Sequence, residues 1–306
     1  MKDMRGEIAK LMDARQMTGE YAQLVQQAVA DPAVQQWLHE HEAALAPDAV
    51  TRGAAKIYEY VSQRDAAAAG KPVVAPGYAP QLVVSNRLID ITYQPTAAMV
   101  ASQAAAKRAS LVTAISMPKA NQNASFATYD SQDRDAALSA ALAFVSAMLE
   151  QPHQFHKGLY LTGAFGVGKT YLLGAIANEL AGQGIASTLV HVPTYSVELK
   201  AAIATNGVPA KVNALKRAPV LMLDDIGAES LSPWFRDDVL GIILQYRMQE
   251  ELPTLFSSNK TMAELTNFLA GVEVGNNESL KASRIMERVK FLATEIVVGG
   301  RDRRNG

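Results

Sequence analysis

The 306-residue sequence contains no cysteine. That excludes disulfides, a thiolate zinc site and a cysteine nucleophile. It has no charge excess either: Lys plus Arg number 29 against 30 for Asp plus Glu. A nucleic acid or membrane could therefore be met only by a local patch. Long apolar runs are missing too. The opening Met1-Lys2-Asp3-Met4-Arg5-Gly6-Glu7 lacks the apolar centre of a secretion signal, and the most apolar long stretch, Ala136 to Leu149, is short and broken by serines. A cytoplasmic protein without a membrane partner is expected. The length exceeds a comfortable single core, which predicts one large domain plus a smaller one.

What is present centres on Gly163-Ala164-Phe165-Gly166-Val167-Gly168-Lys169-Thr170, which fits the phosphate-loop pattern G-x-x-x-x-G-K-[ST]. The chemistry explains the residue types. Gly163, Gly166 and Gly168 let backbone N–H groups turn onto phosphates, Lys169 reaches the outer phosphates, and the Thr170 hydroxyl ligates Mg²⁺. Such a loop joins a strand to a helix N-terminus, where unpaired amides favour an anion. Gly158 to Thr162 reads as the buried strand, and the run from Tyr171, itself counted among the nucleotide-binding residues, to Leu180 reads as the helix. ATP and Mg²⁺ are the expected cofactors.

Past this helix, strands and helices alternate, which predicts a parallel sheet covered on both faces. Ile185 to Val192 reads as a strand. Ala218 to Asp225 is a second, apolar and ending in carboxylates, as a Mg²⁺ hydration shell needs at a neighbouring strand end. Asp224 is the metal-side candidate; Asp225 is placed to orient the attacking water, with Glu229 as the substitute. Leu231 to Glu250 reads as helical, and Leu252 to Asn259 as a strand whose terminal asparagine can bond the water or the γ-phosphate without repelling it. Ser283 to Lys290 reads as a basic helix carrying Arg284 and Arg288, followed by a last strand from Thr294 to Gly300. That makes five strands, with no separate C-terminal lid expected.

Ahead of this domain the pattern changes. Tyr21 to Ser62 has helical spacing in short segments, with Asp31-Pro32 as a cap and first-turn proline. His39 and His41 are two apart, so they do not share a helix face, and they read as solvated. Leu82 to Tyr93 reads as two strand runs around Ser85-Asn86-Arg87, a hairpin that must pack on the helices because a lone hairpin is marginal in water. Residues 1–95 form a small module that is either a structural cap or a protein-docking unit, 96–124 a partly helical linker, and 125–306 the ATPase domain.

The ordered set Gly163 to Thr170, Leu221-Met222-Leu223-Asp224-Asp225-Ile226-Gly227-Ala228-Glu229, Leu255-Phe256-Ser257-Ser258-Asn259 and Ser283 to Val289 resembles the AAA+ ATPases. Within them it is most similar to the bacterial replicative helicase loaders of the DnaI and DnaC type. The resemblance extends to Lys56 to Val61 and Tyr78 to Val84 in the first module. It implies an α/β AAA+ P-loop fold, an N-terminal module that holds a hexameric replicative helicase, single-stranded DNA binding, and self-assembly through the ATP site. It also implies Lys169 and Thr170 at the phosphates and Mg²⁺, Asp224 and Asp225 as the acidic pair, Asn259 as the sensor, and Arg288 or Arg284 as a finger reaching the neighbouring subunit. For those arginines, pairing with Glu287 or Glu295 is the local alternative. That module usually binds zinc through cysteines, and this sequence has Arg64 to Gly70 in their place. No zinc is expected, and Trp37, Tyr58, Leu82 and Ile91 would have to hold the module. Helper ATPases of transposition share the same domain and are the runner-up reading; a non-hydrolysing nucleotide-binding protein and a small-molecule kinase are more distant ones. Single-stranded DNA is expected near Lys200, Lys211, Lys216 and Arg217.

Overall fold

The computed structural model describes residues 19–115, 123–228, 231–271 and 276–303. It divides into two compact units at Ala105/Ala106. Glu229 lies outside the described residues.

The first unit opens with α1 (Gly19–Val29), α2 (Pro32–Glu40) and α3 (Ala49–Ala68). Asp31 caps α2, its carboxylate accepting from the N–H groups of Ala33 (3.0 Å) and Val34 (3.3 Å), with Pro32 in the first turn. The hairpin is β1 (Tyr78–Ser85) and β2 (Leu88–Pro95), antiparallel, with Ser85 opposite Leu88. Its two loop residues, Asn86 and Arg87, have φ of +51° and +62°, which matches the twist of the flanking strands. The hairpin lies against α3, where a Cβ on Gly53 would come within 2.7 Å of Ile89 Cβ. Val34, Ile57, Leu82 and Ile89 form the buried centre, with Trp37 and Tyr58 packed around it. From β2 it is Ile89, rather than the expected Ile91, that joins Leu82 in this centre.

Arg64 clamps α3 to the start of α2. Its two terminal nitrogens donate to the two Asp31 oxygens at 2.9 and 2.8 Å. The guanidinium holds the Asp31 carboxyl below its ordinary pKa, and burial opposes it. A bidentate pair of this kind is directional as well as electrostatic.

After α4 (Ala97–Ser110), the second unit is built on a six-stranded parallel sheet in the order β3-β5-β6-β7-β4-β8. The strands are β3 (Val112–Ile115), β4 (Gly158–Thr162), β5 (Ser187–His191), β6 (Val220–Asp224), β7 (Thr254–Ser258) and β8 (Ala293–Val297). The five-strand expectation was one short. Val112 to Ile115, inside the stretch expected to be linker, pairs in parallel with Ser187 to Val190 as an edge strand. Strands β4, β6 and β7 are buried along their whole length, as a sheet covered on both faces requires.

The helices are α5 (Asp135–Glu150), α6 (Lys169–Gly182), α7 (Val192–Ala202), α8 (Val208–Arg217), α9 (Gly241–Gln249), α10 (Met262–Ala270) and α11 (Asn276–Leu292). One core, with Phe144, Leu161, Leu172 and Leu255, includes side chains of α5 and α6. The other, with Tyr160, Leu199, Leu244 and Val289, includes side chains of α7 to α11. Phe235–Leu240, just before α9, is π-helical, within the stretch read as helical. Arg247 of α9 is fully buried. It donates to the carbonyls of Leu215, Lys216, Ala218 and Pro253 and to Thr254 Oγ1, at 2.7 to 3.1 Å, and so ties the end of α8 to the starts of β6 and β7. Among the described residues, no helix is long and apolar enough to cross a membrane.

Candidate functional site

Parallel strands leave a crevice at their C-terminal edge, and the candidate site forms there from the ends of β4, β5, β6 and β7. The phosphate loop runs from β4 into α6. Gly166 and Gly168 take φ of +75° and +96°, a conformation that side-chain-bearing residues rarely adopt. Lys169 is buried, its ammonium donating to the carbonyls of Gly163 (2.9 Å) and Ala164 (2.7 Å) within the loop. The cation is thus held over the loop where an anion's oxygens would replace those carbonyls.

Beside it, the Thr170 hydroxyl lies 2.9 and 3.1 Å from the two oxygens of Asp224, and the Ser257 hydroxyl donates to Asp224 Oδ1 at 2.5 Å. Asp224 is 3% exposed. Burial pushes its carboxyl above the ordinary value, Asp225 adds to the rise, and the two hydroxyl donors work against it. A hydroxyl and a carboxylate converging from α6 and β6 are hard oxygen donors of the type Mg²⁺ takes. The residues therefore fit the ion.

Asp225 leaves the strand at φ +60°. This turn brings its N–H to Ser257 Oγ (3.0 Å) and its carboxylate to 3.9 Å from His191 Nε2. His191, at the end of β5, shares its other ring nitrogen with Thr194 Oγ1 (2.7 Å). Asn259 follows the last residue of β7, and its side-chain oxygen is buried without a hydrogen-bond partner. A buried acceptor left open costs free energy, which a water or phosphate-bound donor would recover.

Around these groups lies a cavity of about 790 Å³, the size of small-molecule sites, which Asn259 does not line. Gly166, Gly168, Lys169, Thr170, Asp224 and Asp225 all line it, and so does Tyr171, whose hydroxyl pairs with Thr128 Oγ1 (2.6 Å) and accepts from Ser125 N–H (3.2 Å). Arg284 and Arg288 do not line it. They project from α11. Arg288 donates to Gly241 O (2.8 Å) and borders a separate hollow with Lys216, Ile242 and Tyr246. Glu295, offered as a local partner, instead accepts from Met262 N–H. Of the basic DNA candidates, Lys200, Lys211 and Arg217 are exposed; Lys211 pairs with Glu198 at 3.8 Å, and Lys216 sits 4.6 Å over the Tyr246 ring.

Among the lining residues that the sequence reading did not name for the site are Tyr129, Arg134, His191 and Arg303. Arg134 is buried, donates to Val167 O (2.6 Å) and Asp130 O, and stacks on Tyr129 at 4.4 Å, so it braces the phosphate loop. These come from segments flanking the motifs, where no spacing rule points to them. Only His191, the last residue of a strand neighbouring the acidic one, carried a signal that position alone could have raised.

A sequence profile described as primosomal protein DnaI N-terminus matches residues 1–93, and one described as IstB-like ATP binding protein matches residues 81–303. The replicative helicase loader DnaI of Bacillus subtilis (strain 168) is 37% identical over 290 residues, which is 92% of this chain and 93% of that protein. The chain belongs to the DnaI family of helicase loaders. Among solved structures, a crystal structure of DnaI is 44% identical with a TM-score of 0.56, covering 65% of this chain and 100% of its own. A primosome component from Streptococcus pyogenes serotype M3 is 39% identical with a TM-score of 0.54, covering 65% and 98%. The DnaI-type fold is thus an α/β P-loop domain of the AAA+ kind behind a helical module with an antiparallel hairpin, as the motifs implied.

Proposed function

We propose that this protein is an ATP-dependent loader that places a hexameric replicative helicase on single-stranded DNA in the cytoplasm during initiation or restart of replication. The observation that carries the reading is the pairing, in one chain, of a DnaI-type first module with a second unit whose Lys169, Thr170 and Asp224 converge on one cavity. Residues 1–95 act as the helicase-docking domain, 96–124 as the linker and 125–306 as the ATPase.

In this reading Lys169 and the loop N–H groups hold the triphosphate, and Thr170 and Asp224 hold Mg²⁺, which supplies Lewis-acid stabilisation of phosphate charge. Asp225, at its turn on the strand end, orients and accepts a proton from the attacking water. Asn259 offers its open carbonyl oxygen to that water. Arg288, with Arg284 as second candidate, reaches the site of a neighbouring copy, since neither lines the site of its own chain. Self-assembly through the ATP site follows from that division.

A second reading has one specific support: the IstB-like profile, which matches residues 81–303, points to a helper ATPase of another DNA transaction such as transposition. A pull-down with the host replicative helicase separates the two. Capture by the full chain and loss of capture when residues 1–95 are removed is the expected result; no capture by either would favour the second reading.

A further inference from the structure

Among the described residues, β8 is followed by no helix; the backbone crosses the phosphate loop instead. Val298 N–H donates to Thr162 O (2.7 Å) and Arg303 N–H to Gly166 O (3.2 Å). Between them Gly300 turns at φ +92°, and the Asp302 carboxylate lies so close over Gly166 that a Cβ there would overlap it. The Arg303 guanidinium then enters the cavity and pairs with the Asp130 carboxylate, while its Nε is buried with no hydrogen-bond partner.

The charges lining the cavity give this arrangement a purpose. Three carboxylates line it, Asp130, Asp224 and Asp225, against the three cations Lys169, Arg134 and Arg303. Without Arg303 the wall would carry an excess of negative charge, which opposes a triphosphate at short range in a partly desolvated site. Arg134 is committed to the backbone carbonyls of Val167 and Asp130 and to the Tyr129 ring. Arg303 differs. It sits on a segment without regular structure and its partner is one side-chain carboxylate, although both arginines leave a buried Nε unpaired.

We propose that Arg303 is a nucleotide-contacting residue, carried on this C-terminal strap, that exchanges the Asp130 carboxylate for the phosphates of bound ATP. The inference rests on the ATP-site reading above. Binding breaks one ion pair and makes another of the same kind, so the exchange is driven by the higher charge of the phosphates. A bidentate guanidinium contact suits phosphate oxygens. The strap thereby closes over the nucleotide that recruits its arginine.

The test is calorimetry with ATP and adenosine on full-length protein. Arg303→Ala is expected to weaken ATP at least ~10-fold, the size of one charge-assisted contact, and to leave adenosine unchanged. Arg303→Lys should recover part of the loss, which misfolding would not allow. Asp130→Asn should bind ATP as tightly as the parent or more tightly. In the parent chain ATP should slow trypsin cleavage after Arg301. Unchanged ATP affinity in Arg303→Ala, or an equal loss in Asp130→Asn, would overturn the exchange. Lys169→Ala separates the layers. If it loses ATP while Arg303→Ala does not, only the strap inference fails; if the parent binds no ATP, the site reading fails with it.

Discussion

Thr170 and Asp224, 54 residues apart in sequence, are in direct hydrogen-bond contact, the threonine hydroxyl lying 2.9 and 3.1 Å from the two carboxylate oxygens. Without a cation this contact satisfies a carboxylate that is almost fully buried. A bound ion would take over the same oxygens, so the apo contact and the metal site are alternative uses of one pair.

Asp224→Asn is therefore expected to do two opposite things. The amide oxygen still accepts from Thr170 and Ser257, but the buried charge is gone, so the apo protein should melt no lower than the parent and up to about 1 kcal/mol more stable. The extra ATP affinity conferred by Mg²⁺ should disappear. The sign of the pH dependence agrees. Burial raises the folded pKa of Asp224 above 3.8, so its contribution to apo stability is fully present below that value and is lost as pH rises through the folded pKa. Mg²⁺ affinity should run the other way and weaken as pH falls toward the same range. Thermal melts with and without Mg²⁺ across pH check both; an apo variant melting several degrees lower would contradict the account.

Asp225→Asn should keep Mg²⁺-ATP affinity and slow turnover, by about 10²-fold or more, because general-base orientation is lost while the Thr170–Asp224 pair stays intact. Normal turnover in this variant would move the role elsewhere, with Glu229 as the first candidate.

Arg288→Ala tests action across a subunit boundary. A finger in trans is worth ~10³-fold or more in rate. Mixing Arg288→Ala subunits with Lys169→Ala subunits should restore ATPase activity, since one supplies an intact loop and the other an intact arginine. No recovery in assembled mixtures would remove the trans role.

Single-stranded DNA affinity should fall with rising salt and fall again on charge reversal at Lys200 and Arg217, two exposed cations of the basic segment. Reversal at Lys211 should matter less, because Glu198 already offsets its charge. Filter binding at two salt concentrations measures both; equal affinity in all variants would assign these residues to a solvated surface.

Arg64→Ala should destabilise the first module by about 2 kcal/mol, as it leaves the half-buried Asp31 without its charged partner. The second unit should melt unchanged. Calorimetric scans that show no separate loss in the module would mean that the apolar centre around Ile57 suffices.

The parts of the site that chemistry confines to a short stretch were readable from sequence. A phosphate loop needs glycines and a lysine within eight positions, and the acidic pair must terminate an apolar strand, so Lys169, Thr170 and Asp224 could be placed together before any fold was known. Val112 to Ile115 could not be read as a strand, because it is four residues long, half exposed, and takes its regular form from pairing with β5. The π-helical turn at Phe235–Leu240 was hidden for a similar reason: a single turn is too short to shift the apolar spacing visibly. Arg134 and Arg303 reach the cavity through loops whose course depends on tertiary packing, and an arginine in a loop carries no such information by itself.

The strand order also sets when this protein can become active during its synthesis. β4, which carries the phosphate loop, pairs with β7 and β8, both of which lie far later in the chain. A ribosome releases the helical module and hairpin well before those partners, so the first unit can fold while the ATP site is still half a sheet. β4 waits with both edges open through nearly a hundred residues of elongation. Nascent chains arrested before Ala293 should therefore resist protease in the first unit yet fail to retain nucleotide, giving the cell an interval in which the first unit exists without a complete second one.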